Sequence, residues 1–138
     1  MGIQKRIMDD IFLLKRRCMF KIEDLCAETG LVPREMAAIE SLDAGERVSA
    51  NELSRRMELS PSRGSRVVEH LIQKCYLVRE TDPHDRRAVL LYLSEQGVEQ
   101  KRRIDMLKDD CEKLLRSQIT EKEIDVVRQS MQILKKAF

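Results

Sequence analysis

The stretch Ser60 to Ser94 reads SPSRGSRVVEHLIQKCYLVRETDPHDRRAVLLYLS, and its order decides the fold. Ser60 is placed to cap a helix with Pro61 at its first position. Val67, Val68, Leu71 and Ile72 then recur at the spacing of one inward helix face. Ser62, Arg63, Ser65, Arg66, Glu69 and Gln73 are left on the outer side. Two strand-like runs follow, Leu77 to Arg79 and Val89 to Leu93, with Asp82-Pro83 between them as a turn signal. A helix followed by a hairpin with arginines at its tip suits a module that lays the helix on a surface and reaches past it. Double-stranded DNA is the surface that fits.

On the return strand, Val89, Leu91 and Leu93 share a face and are expected to pack inward. By the same period of two, Asp85 and Arg87 fall on one side, where the carboxylate is expected to hold the guanidinium in one direction. An arginine so held suits a narrow minor groove, where the negative potential is highest. The plainer reading is a solvated loop with a surface ion pair that contributes little.

Immediately upstream, Ser49 can cap another helix, with Glu52 placed to reach back and Val48 to pack on Leu53. That helix spans roughly 50–57 and ends at Glu58-Leu59, so a turn of about three residues separates it from the next. Two helices so joined form a helix-turn-helix. Residues 49–74 hold Arg55, Arg56, Arg63, Arg66 and Lys74 against Glu52, Glu58 and Glu69, an excess of two positive charges.

Outward from this centre the chain is helical. Ile7, Ile11, Leu14, Cys18, Ile22 and Leu25 form one apolar stripe on a helix expected over 3–28, and Met8, Phe12 and Met19 add a second apolar face. Thr29-Gly30 ends it, and Pro33 opens a short helix to about Leu42 with Met36, Ile39 and Leu42 inward. On the other side Ser94 caps a helix over 95–117 carrying Val98, Ile104, Leu107, Cys111 and Leu114. Thr120 and Glu123 form a capping box, with Ile119 and Ile124 as its staple, before a last helix carrying Val127, Met131, Leu134 and Phe138. Three long amphipathic helices exceed what a winged module of this size can cover, so an intersubunit bundle is expected.

Composition bounds the rest. The chain has 138 residues, 36% of them charged and only 4% aromatic, with no Trp. That is the profile of one helix-rich domain with an aliphatic core. The net charge of +2 means that any nucleic-acid binding rests on local placement of arginines rather than bulk charge. No apolar run approaches the roughly 20 residues of a membrane span, and the start MGIQKRIMDD lacks a signal-peptide core, so a cytoplasmic location and no membrane partner are expected.

Residues 51–97, NELSRRMELSPSRGSRVVEHLIQKCYLVRETDPHDRRAVLLYLSEQG, resemble the winged helix-turn-helix of the MarR (multiple antibiotic resistance regulator) family. The wing signature DRRAxxLxLTxxG of that family appears here from Asp85 through Gly97, with Ser94 in place of the threonine. The helix order before and after agrees over nearly the whole chain. The resemblance implies a single mainly α domain over 1–138 with a small β-hairpin. Residues 32–94 would be the winged DNA-binding lobe, and 1–31 and 95–138 long terminal helices forming a dimerisation bundle. It implies a homodimeric transcriptional regulator, a repressor, on a pseudo-palindromic operator. One recognition helix per subunit would lie in the major groove, with the wings in flanking minor grooves. By position, Arg87 is the minor-groove residue, held by Asp85 with Arg86 beside it, and recognition-helix contacts fall at Ser62, Arg63, Ser65 and Arg66. The amides near Ser60 and Ser62 are placed to accept a phosphate. Relatives often bind small aromatic acids or phenols between lobe and bundle. Met36, Phe12, Met19 and Ile39 can line such a cleft, but they read equally as ordinary core, which is the reading preferred here.

Two departures from the family pattern concern cysteines. Glycine is usual where Cys75 stands, at a left-handed helix end, so the thiol residue either accepts that backbone or the helix ends differently. Lys74 beside it brings a cation near the thiol. Cys18 lies where peroxide-sensing relatives carry a reactive cysteine, yet the only tyrosines, Tyr76 and Tyr92, lie in the other half. With no CxxC spacing, Cys18, Cys26, Cys75 and Cys111 read as reduced, mostly buried thiols, leaving Cys18 and Cys75 as redox candidates. His70 on the second helix of the motif and His84 at the hairpin tip are not placed to join Cys18, Cys26 or Cys111 in a tetrahedral site, so no metal or other cofactor is expected. No phosphate loop, GxSxG or nucleophile–base pair points to an enzyme. The competing readings are a thiol-responsive regulator and a winged helix that binds protein instead of DNA, which the small net charge and Glu69 on the reading face would suit.

Overall fold

Residues 5–138 are described by the computed structural model, and residues 3 and 4 of the expected first helix lie outside them. The helices are α1 (Ile7–Thr29), α2 (Pro33–Glu40), α3 (Ala50–Arg56), α4 (Pro61–Gln73), α5 (Glu95–Gln118) and α6 (Glu121–Ala137). Three short strands, β1 (Val48–Ser49), β2 (Leu77–Thr81) and β3 (Val89–Leu93), form an antiparallel sheet in the order β1-β3-β2. The chain forms two compact units, Met1–Arg102 and Arg103–Phe138.

Helix starts follow local chemistry. Ser49 Oγ accepts the Glu52 amide at 3.1 Å, and Ser60 Oγ accepts the Arg63 amide at 3.4 Å with Pro61 behind it. The expected return contact of Glu52 to the Ser49 backbone is not made, because Arg55 and Arg56 take its carboxylate at 2.6 and 3.1 Å. Thr120 and Glu123 make the full reciprocal box, at 3.2 and 3.0 Å.

Both helix ends of the central motif use a Schellman turn without glycine. After α3, Glu58 has φ 56°, its amide bonds Arg55 O and the Leu59 amide bonds Ser54 O. After α4, Cys75 has φ 67°, its amide bonds Ile72 O and the Tyr76 amide bonds Leu71 O. Cys75 therefore accepts the left-handed region, at a cost on the order of 1 kcal/mol.

The core of the first unit joins Leu31, Met36, Ile39 and Leu42 to Leu53, Val67, Val68, Leu71, Leu77, Leu91 and Leu93, all buried. Val48, read as a staple, is also a strand residue that pairs with Leu91 and adds a third strand to the expected hairpin. Val89 is corrected: it shares the strand face of Leu91 and Leu93 but is 40% exposed, because it sits at the outer end of the ladder opposite Thr81. Around Ser41 to Arg47, Arg56 donates to Ser41 O at 2.9 Å and to both Glu46 oxygens at 3.0 and 2.5 Å. Glu46 is held down to about 2 by these bonds from Arg56 and by the Asp43 amide. Glu52 is also held at about 2, by Arg55 first and then Arg56.

In the single chain the terminal helices leave most of their apolar stripes uncovered. On α1 only Leu25 of the apolar stripe is buried, while Ile7, Leu14 and Cys18 are exposed. In the second unit Ile124 is buried, but Leu114, Val127 and Met131 stay exposed and Phe138 is 87% exposed. The expectation of mostly buried thiols is corrected accordingly. Cys18, Cys75 and Cys111 are exposed, and Cys26 is half-buried. Helical periodicity marks an apolar face without saying which chain covers it. Phe12 and Met19 likewise leave the expected core, lining an open groove of about 740 Å³ on α1 with Phe20, while Met36 and Ile39 are buried. Met36 and Ile39 do not line that groove.

Candidate nucleic-acid interface

α3 and α4 cross very closely, and Gly64 makes that possible. A Cβ at Gly64 would lie 1.8 Å from Ser54 Oγ and 2.6 Å from Ser54 Cβ. Sequence reading passed over Gly64. Its signal is a glycine inside a helical pattern, which costs about 1 kcal/mol against alanine unless a close approach requires it. With its inner face so docked, α4 leaves Ser62, Arg63, Ser65, Arg66, Glu69 and Gln73 exposed, as the spacing predicts. Ser60 Oγ is already committed to the Arg63 amide and lies 3.3 Å from Ser62 Oγ, and the Gly64 amide bonds Ser60 O. Among the described residues no hydrogen bond engages the Ser62 amide, which remains for an anion at this helix start.

The wing tip is built from two side-chain turns. Asp82 Oδ1 accepts the His84 amide at 2.9 Å, and Asp85 Oδ1 accepts the Arg87 amide at 3.0 Å. The Asp82 amide bonds Ala88 O and the Ala88 amide bonds Asp85 O, both at 3.0 Å, closing the loop. The expected grip of Asp85 on the Arg87 guanidinium is therefore corrected. The carboxylate bonds the backbone two residues along, which shapes the tip, and among the described residues the Arg87 guanidinium has no partner. Arg86 and Arg87 both stand exposed at the tip.

Charge pairing separates the arginines of residues 48–94 into two groups. Arg55 and Arg56 pair with Glu52, and Arg79 of β2 pairs with Glu69 of α4. The guanidinium groups of Arg63, Arg66, Arg86 and Arg87 make no hydrogen bond or ion pair among the described residues. The Arg79 pair also changes the reading of Glu69: the carboxylate on the outer face is neutralised by a cation from the wing. Below the wing, Arg47 lies 4.5 Å over the Tyr92 ring and 3.5 Å from Glu80, bracing β2 and β3.

The redox candidates are both accessible, but the Lys74 ammonium is turned away from Cys75 to Glu35 and Gly30 O. Burial, Glu35 and Glu23 push the Cys26 thiol up, keeping it protonated. Among the described residues no three His, Cys, Asp or Glu side chains converge as a metal site requires, and no helix is long and apolar enough to cross a membrane.

Two helices crossing through a short turn, followed by a three-stranded sheet with a long-tipped hairpin, define a winged helix-turn-helix protein. A sequence model of the MarR family matches residues 26–88, which contain α2, α3, α4 and the wing tip. Over that stretch the chain is similar to the MarR family. It is 28% identical over 96 residues to the HTH-type transcriptional repressor MdtR of Bacillus subtilis (strain 168). That alignment covers 67% of this chain and 62% of the relative's length. In fold it is similar to the S. aureus MepR–DNA complex, with TM-score 0.81 and 13% identity over 98% of this chain and 100% of that one. Streptococcus pneumoniae FabT in complex with DNA gives TM-score 0.79 and 19% identity over 94% of this chain and 93% of that one. The reduced form of MarR from E. coli gives 0.76 and 15%, over 96% and 98%.

Proposed function

We propose that this chain is a homodimeric, sequence-specific DNA-binding regulator that acts as a repressor at a pseudo-palindromic operator. The observation that carries this is the pair of unpaired arginine sets, Arg63 and Arg66 on the outer face of α4 and Arg86 and Arg87 at the wing tip. An arginine without a partner presents its full fork to a guanine edge or a phosphate. Arg63 and Arg66 read bases in the major groove with Ser62 and Ser65, and the Ser62 amide meets a phosphate beside Ser60. Arg87 enters the minor groove with Arg86 beside it, while Asp85 shapes the tip. MdtR is named a transcriptional repressor, and MepR and FabT are seen with DNA, which supports the same role here.

Self-association is supported by uncovered apolar surface. Phe12 and Phe20 on α1 are 56% and 65% exposed, and in the second unit Leu114, Val126, Ile133 and Phe138 are exposed. A second copy covering residues 1–31 and 95–138 removes these faces from water and leaves 32–94 as the DNA-binding lobe. Release by a small-molecule effector and a place in the cytoplasm complete the proposal.

Fluorescence anisotropy with DNA from beside the chain's own gene tests it. Wild-type affinity is expected to fall steeply with salt. Arg87→Ala should weaken binding across sequences and reduce the salt slope by about one. Arg66→Ala should instead lose roughly 1–3 kcal/mol of discrimination at one base pair. A flat salt response in the wild type would favour a protein-binding winged helix. A thiol-responsive version rests on exposed Cys18 and Cys75. Oxidant that leaves affinity unchanged in wild type and in Cys→Ser variants alike would remove it.

A further inference from the structure

The last residue of the recognition element does more than end a helix. Lys74 caps the C-terminus of α4, and its ammonium reaches Glu35 Oε1 at 2.8 Å, Glu35 Oε2 at 2.9 Å and Gly30 O at 2.9 Å. An ammonium has three N–H donors, so these acceptors match its full capacity and fix one geometry. Glu35, in the first turn of α2, is 2% exposed, which makes this cation its partner out of water. Gly30 is the left-handed cap of α1, and Tyr76 Oη donates to Thr29 O beside it at 3.4 Å. Three helix ends therefore meet at one charged atom.

We propose that Lys74 is a positioning residue for DNA recognition: by tying the end of α4 to Gly30 and Glu35 it sets the angle between the recognition helix and α1. That angle determines which half-site spacing a dimer accepts. The inference rests on the homodimeric DNA-binding reading above. α4 has 13 residues, about 20 Å of helix, so a tilt of roughly 10° about the strap moves its reading end by about 3.4 Å, one base-pair rise.

The test uses the full chain, duplexes in which one base pair is inserted between or removed from the half-sites, and two variants. Lys74→Met breaks the strap, and Glu35→Met with Lys74→Met replaces the ion pair by apolar side chains that preserve folding. Wild type should lose about tenfold or more in affinity when the spacing changes by one base pair. The doubly substituted chain, folded by circular dichroism, should discriminate between spacings by less than about threefold. A structural role alone would be rescued by the apolar pair, so retention of wild-type spacing preference in the folded double variant overturns the inference and leaves the DNA-binding reading intact. A wild-type chain that binds none of the duplexes overturns that reading instead.

Discussion

Gly64→Ala sets two physical effects against each other with opposite signs. Helix propensity alone makes alanine the better residue inside α4, by about 0.5–1 kcal/mol. The crossing with α3 makes it worse. The new Cβ would meet Ser54 Oγ at 1.8 Å, Ser54 Cβ at 2.6 Å and Ser54 Cα at 3.2 Å. The hydroxyl can rotate, giving up its 2.9 Å bond to Ala50 O, but Cβ and Cα move only with the backbone of α3. Overpacking of this kind costs roughly 1–3 kcal/mol, and contact with backbone-fixed atoms places Gly64→Ala at the upper end. Net of propensity, a loss of about 2 kcal/mol is expected, or a fall in Tm of roughly 4–8 °C for a chain of this size. Urea denaturation followed by circular dichroism measures it. Ser54→Gly in the Gly64→Ala background removes the colliding Cβ and should recover most of the loss, less about 1 kcal/mol for glycine in a helix. Gly64→Ala at or above wild-type stability would refute the close crossing.

The remaining predictions concern backbone, acid stability and the reading face. Cys75→Gly and Glu58→Gly each relieve a left-handed residue and should raise stability by about 0.5–1 kcal/mol, read as an increase in the urea midpoint without a change in slope. Glu46 and Glu52 titrate at about 2 in the folded chain against an ordinary 4.5, so they contribute stability that is fully present above 4.5 and lost as pH falls towards 2. Arg56→Ala should flatten that acid decline, and an unchanged profile would exclude the Arg56 cluster as its source. Arg79→Ala frees the Glu69 carboxylate on the outer face of α4 and should reduce DNA affinity about tenfold or more, with Glu69→Gln in that background restoring most of it. Failure of the second substitution to restore binding would show that Arg79 acts by some route other than neutralising Glu69.

What was legible in the sequence was what a short window encodes. Ser49, Ser60 and Thr120 announce helix starts because an N-cap is a local hydrogen bond, satisfied within three residues. The outer face of α4 was legible because burying Val67, Val68 and Leu71 dictates which residues remain outside. Partners distant in sequence were not legible. Glu35–Lys74 and Glu69–Arg79 join charges whose proximity depends on how elements pack, and no periodicity reports that. β1 escaped for a related reason, since two residues become a strand only by pairing with Leu90 and Leu91.

The wing tip shows how a residue type can be read correctly and its contact misplaced. Asp85 and Arg87 are two residues apart, and the period of a strand suggests that their side chains meet. At a turn a competing interaction is closer: an aspartate oxygen reaches the amide two residues on before it reaches a long guanidinium. The same competition acts at Lys74, whose ammonium bypasses the adjacent thiol for a buried carboxylate nearly forty positions away in sequence. In both places a charged group goes where its bond relieves an otherwise unpaired polar atom, whether a loop amide or a buried carboxylate. Arg63, Arg66, Arg86 and Arg87 are left over from that allocation. It is the lack of a partner for their guanidinium groups among the described residues, more than the chain's charge of +2, that makes α4 and the wing suited to an external polyanion.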